Sequence, residues 1–95
     1  MTFSRLVFRV HAIQRMFDRH IAVKDVRDVL ETGELIECYA DDEPYPSYLV
    51  LGFAGPRPIH VVAANDDREE RTVVITVYEP TPDQWDSTFK RRRLQ

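Results

Sequence analysis

The chain has 95 residues, 13 Lys and Arg against 16 Asp and Glu, and a net charge of −3. That length holds one hydrophobic core and excludes a second domain, and the negative balance excludes an indiscriminate nucleic-acid binder. The single cysteine, Cys38, excludes an internal disulfide and fits a reducing, cytoplasmic setting.

The opening, MTFSRLVFRV, is broken by arginine and lacks the apolar core of a signal peptide. No apolar run reaches bilayer length, so no membrane role is expected. There is no internal repeat and no low-complexity tract.

The first helix is expected over residues 10–19. At 100° per residue Ala12, Ile13, Met16 and Phe17 fall on one side, and His11, Arg15 and Arg19 on another. The second is expected over 23–32, with Val26, Val29 and Leu30 as its buried stripe. It lacks a Ser, Thr, Asp or Asn at its start. Gly33 follows where a left-handed C-cap would sit.

Beyond Gly33 the pattern changes to strand. ELIECYA, SYLVLGFA, IHVVAA and RTVVITVYE read as four strands, separated by the loop DDEPYP and the turns GPRP and NDDREE. DQWDSTFKRRRLQ reads as a short terminal helix or a tail pinned by Trp85 and Phe89. The resulting class is α+β: two N-terminal helices on one face of a four-stranded, mainly antiparallel sheet. The last two strands are apolar on both parities, so the C-terminal segment is expected to cover part of the second face.

Charge is uneven. Residues 41–70 carry two bases and seven acids, whereas residues 71–95 carry five bases and three acids. A focused positive patch can therefore stand beside an acidic loop.

The helix-one triplet His11, Arg15 and Arg19 has two readings. One is a solvated face whose arginines pair with Asp18 or Asp25. The other is a phosphodiester site, in which guanidinium forks hold the phosphate and histidine moves a proton. His60, inside a strand, is ordinarily a packed residue. If it faces the same side as Thr76 and Tyr78, three polar groups converge. Val74 shares the parity of Thr76 and Tyr78. Tyr39, Tyr45 and Tyr48 flank the acidic loop and could stack on a base. Arg57 and the run Lys90, Arg91, Arg92 and Arg93 are candidate RNA contacts or solvated charges. The three histidines lack metal-ligand spacing, and there is no HExxH, paired CxxC or glycine-rich phosphate loop, so neither metal nor cofactor is expected.

HAIQRMFDRHI, VRDVLETGELIECY, SYLVLG, RPIHVV and VVITVYEP, followed by a tryptophan, together resemble the bacterial domain of unknown function numbered 4258, in order and spacing. That resemblance covers residues 9 to 86 and implies a RelE- or ParE-like toxin fold. It maps the family pattern onto His11, Ala12, Arg15, Met16 and Arg19, then Arg57, Pro58 and His60, then Thr76 and Tyr78. It further implies a partner antitoxin of zinc-finger and helix-turn-helix design, and by analogy a metal-independent endoribonuclease acting on single-stranded RNA or mRNA.

On that view His11 takes the proton of the RNA's own 2′-hydroxyl, His60 or Tyr78 protonates the leaving oxygen, and Arg15 and Arg19 hold the phosphate oxygens. The alternatives are a non-catalytic RNA- or protein-binding module of the same fold, and a structural protein whose histidines are merely packed. All catalytic readings require the helix-one stripe and the closing strands to border one hollow.

Overall fold

The computed structural model describes residues 5–94. Its elements in chain order are β1 (Leu6–Phe8), α1 (Val10–Arg19), α2 (Val23–Thr32), β2 (Glu34–Tyr39), β3 (Ser47–Ala54), β4 (Arg57–Asp66) and β5 (Arg71–Tyr78). Both helices and the four longer strands lie where periodicity places them. The class is α+β as expected, but the sheet has five strands rather than four, in the order β1-β5-β4-β3-β2. The additional strand, β1, is three residues of LVF paired parallel to β5. Three residues between arginines carry no readable alternation, and the parallel partner lies more than sixty positions away.

The helices share one face of the sheet. Ala12, Met16, Ile21, Val26, Val29 and Leu30 pack on Val50, Ile59, Val61, Ala63, Val74 and Val77 in one buried cluster. Register carries the alternation across the strands: Val50 opposes Val61, and Val61 opposes Val77. A bulge then interrupts β5. Val62 pairs with Thr76 while Ala63 pairs with Val74, leaving Ile75 as the extra residue. Val74 therefore joins the helix-side core, and does not share a face with Thr76 and Tyr78 as strict period two requires.

Both helix ends depart from simple signals. α1 stops in a Schellman arrangement, with Ile21 N–H bonded to the Met16 carbonyl at 2.9 Å and His20 N–H to that of Phe17 at 3.4 Å. His20 takes the left-handed conformation (φ 55°) usually given to glycine. Arg57 supports this end from β4. Its Nη2 donates to the Arg19 carbonyl at 2.7 Å, its Nη1 to that of His20 at 3.1 Å, and its Nε to Glu79 at 3.2 Å. Arg57 is thus a clamp on carbonyls that the helix leaves unbonded.

α2 begins with no capping side chain at Ala22, as its sequence indicates; the Asp25 carboxylate accepts the Ala22 N–H at 3.0 Å instead. Gly33 is extended (φ −76°), not left-handed. Its lack of a side chain serves close approach: a Cβ there would stand 2.4 Å from the Val29 carbonyl oxygen and 2.5 Å from that of Leu51.

The second face of the sheet carries two covers. Near one end Tyr45 donates to Asp66, which also holds Arg71, while Ser47 donates to Asp42. Near the other lies the C-terminal segment. It is not a helix but the pinned tail, held by buried Trp85 and the Phe89 carbonyl and folded into a strap closed by a bridge between Trp85 and Arg92. Bonds from Asp86 N–H to the Arg91 carbonyl (2.9 Å) and from Arg93 N–H to that of Gln84 (2.8 Å) hold it. No helix among the described residues is long and apolar enough to cross a membrane.

Candidate functional site

The sequence-derived site residues divide between the two sides of the sheet. His60 directly opposes Tyr78, and Val62 opposes Thr76, so His60, Tyr78 and Thr76 occupy the second face. Helix α1 lies on the other, with Ala12 and Met16 inward. His11, Arg15 and Arg19 are exposed along α1. The single phosphodiester hollow required of these residues is not formed, because the apolar core of the sheet stands between the two sets. A catalytic pairing of His11 with His60 is corrected accordingly.

His60 is fully buried. Its Nε2 lies 2.8 Å from the Phe89 carbonyl, which can only accept, so that nitrogen carries the proton. Nδ1 then accepts the Tyr78 hydroxyl at 3.2 Å. The Trp85 ring, only 1% exposed, meets the imidazole edge-on at 4.4 Å. Both ring nitrogens are occupied and no face is open. His60 anchors the strap, and a direct proton transfer from it to a substrate has no route.

Burial lowers the proton affinity of His60, assisted by the Arg92 charge and opposed by the Phe89 carbonyl and Glu37. The unfolded imidazole titrates near 6.5. Below that pH, down to the lower folded value, the unfolded chain holds more protons than the native one. Stability is therefore full above about pH 6.5 and falls as pH drops through this window. Urea midpoints measured at pH 7, 6 and 5 are expected to decline in the native protein, and to decline less in His60→Gln.

Around this anchor sit Glu37, Tyr39 and Arg92. The Tyr39 hydroxyl donates to Glu37, Arg92 lies 3.5 Å from the same carboxylate, and its guanidinium stacks 4.6 Å from the Trp85 ring centroid. Burial and the Glu37 bond push the Tyr39 phenol up to about 12, and burial also raises Tyr78. Neither phenol is a ready base at neutral pH.

Three residues of the terminal basic run are similarly engaged. Lys90 pairs with Glu34 at 3.0 Å, Arg92 with Glu37, and Arg93 donates to the Pro82 carbonyl at 2.5 Å. They fasten the strap to β2 and to the chain at Pro82; Arg91 is exposed. Of the predicted residues only Lys90 lines the groove of about 520 Å³ between the end of α2, β3 and the strap.

The α1 face is different in kind. The Asp25 carboxylate accepts the Ala22 N–H. No ion pair joins Arg9, Arg15 or Arg19 to an acid among the described residues. On the opposite flank Val10, Ile13 and Phe17 are exposed at 70%, 52% and 83%. Ile13 and Phe17 are thus not core residues, although their spacing groups them with Ala12 and Met16. Arg9 and Val10 are participants that motif spacing passes over; the surplus of apolar positions on so short a helix is the signal for Val10. Among the described residues no three His, Cys, Asp or Glu side chains form a group able to hold a metal ion.

Residues 8–79 match the profile of a family described as Domain of unknown function (DUF4258). The chain belongs to this family. The match takes in α1 to β5 with only Phe8 of β1 and stops before the strap, so Trp85, Phe89 and Arg92 lie outside the matched segment of this DUF4258 protein. No curated protein and no solved structure matches the chain.

Proposed function

We propose that this DUF4258 protein is a non-catalytic binding module that takes an anionic macromolecule on the exposed face of α1. One observation carries the reading: Arg9, Arg15 and Arg19 present guanidiniums with no ion-pair partner among the described residues, beside a single helix acid, Asp18. A guanidinium is a permanent, planar fork of donors matched to phosphate or carboxylate oxygens. Single-stranded RNA and an acidic protein segment share that chemistry. Fluorescence anisotropy with oligouridylate and with polyglutamate tests it. Salt-dependent binding of at least one probe is expected, lost more than tenfold in Arg15→Glu/Arg19→Glu. Binding unaffected by that double change contradicts the reading.

A second reading, a metal-independent endoribonuclease and RelE- or ParE-like toxin controlled by an antitoxin, is favoured by one arrangement. Tyr78 rests on a buried histidine whose far nitrogen is fixed, beside the Glu37–Arg92 pair. Here the RNA 2′-hydroxyl attacks phosphorus, Glu37 takes its proton, Arg92 faces the charged oxygens, and Tyr78 protonates the leaving 5′-oxygen. The expected product carries a 2′,3′-cyclic phosphate and forms in EDTA. Cleavage lost in Tyr78→Phe but kept in Arg15→Ala would select this reading over the first. Absence of cleavage at high protein concentration, on structured and unstructured RNA, removes it.

A further inference from the structure

We infer that the partner on α1 is an acidic, amphipathic protein segment rather than RNA. The inference rests on α1 being the binding face and adds the chemistry of what binds there. Val10, Ile13 and Phe17 stand at i, i+3 and i+7, so they form one stripe about two turns long. Phosphates leave such a stripe in water, whereas an apolar helix face covers it. Gln14 and Asp18 form the ridge between this stripe and the flank of His11, Arg15 and Arg19. A segment laid across the ridge meets apolar side chains on one side and long guanidinium side chains on the other.

Charge complementarity then sets the partner's composition. Arg9, Arg15 and Arg19 against Asp18 call for carboxylates beside the apolar positions. A second copy of this chain is disfavoured by the same charges, because an isologous contact through α1 sets guanidiniums against guanidiniums. RNA is disfavoured by the seven acids against two bases in residues 41–70, which repel a dense polyanion more than a short acidic segment.

The test uses the full chain and a synthetic 18-residue helical peptide with leucines at i, i+3 and i+7 flanked by glutamates. Its controls are the same composition in scrambled order, a lysine-flanked version, polyglutamate and oligouridylate. The patterned acidic peptide is expected to bind at least tenfold more tightly than the scrambled one. Ile13→Ala and Phe17→Ala should each weaken it about fivefold. Both side chains are exposed, so circular dichroism should show an unchanged fold. Arg15→Glu/Arg19→Glu should lose the acidic peptide and gain the lysine-flanked one. Equal binding of patterned and scrambled peptides, or tighter binding of oligouridylate, overturns this inference while leaving the α1 binding face standing. Failure of every probe to bind overturns both. Sedimentation of the free chain as a dimer that Phe17→Ala dissolves assigns the stripe to self-association and also overturns the inference.

Discussion

Trp85→Ala is expected to destabilise the protein by about 3–5 kcal/mol, the range for deleting a buried aromatic side chain from a packed site. Trp85 is 1% exposed and contacts the His60 ring edge while Arg92 covers its own ring. Removing the indole opens a cavity above His60 and frees Arg92 from its stacking partner. Domains of this size are stable by roughly 5–15 kcal/mol in total, so the loss consumes a large share of the native margin. Urea unfolding followed by far-ultraviolet circular dichroism measures it. A change below about 1 kcal/mol would show that the strap is an accessory and not part of the core. Because the family match ends at residue 79, that outcome would also mean the matched segment is stable without the strap.

Gly33→Ala is expected to cost about 2–3 kcal/mol, despite adding only a methyl group to an extended residue. Restricting the unfolded chain by replacing glycine favours folding by about 0.4–1 kcal/mol. Against it stand two backbone oxygens, 2.4 and 2.5 Å from the new Cβ, and backbone yields far less than a side-chain tip. Overpacking of this kind costs about 1–3 kcal/mol, and contact with backbone on two sides places it at the upper end. Gly52→Ala is a useful comparison, since the nearest atoms to its Cβ would belong to the Val29 side chain, at 2.7 Å, and not to backbone. Gly33→Ala should show the larger fall in urea midpoint. A neutral or stabilising Gly33→Ala would mean that α2 and β3 are not pressed together there.

Gly33 also illustrates how far the sequence can be read. Its place after a helical stripe is legible, but the choice between a left-handed cap and close packing depends on Leu51, eighteen residues away. Helix and strand positions follow from periodicity because burial of one face dominates each segment. β1 escapes that logic, being too short to show a period. The β5 bulge escapes it as well, since an extra residue is invisible until Ala63 is seen opposite Val74. Site residues fared unevenly for a related reason. Strand parity groups Thr76 with Tyr78, but placing His60 on the same face takes the β4–β5 register, and parity cannot tell which face receives the helices. Nor can it tell that Trp85 and the Phe89 carbonyl close over the imidazole. On α1, spacing treats Ile13 and Phe17 as core because it cannot see that the helix touches the sheet along the narrow line of Ala12 and Met16.

As a binding module, the protein meets its anionic partner through α1 and not through the His60 side of the sheet. Backbone amide chemical-shift mapping on the isotopically labelled chain, titrated with polyglutamate and separately with oligouridylate, tests this directly. The expected result is a contiguous set of shifts over residues 9–20 with at least one probe, and little change at residues 60, 76 and 78. Shifts centred on Glu37, His60, Thr76, Tyr78 and Arg92, with α1 silent, would contradict it.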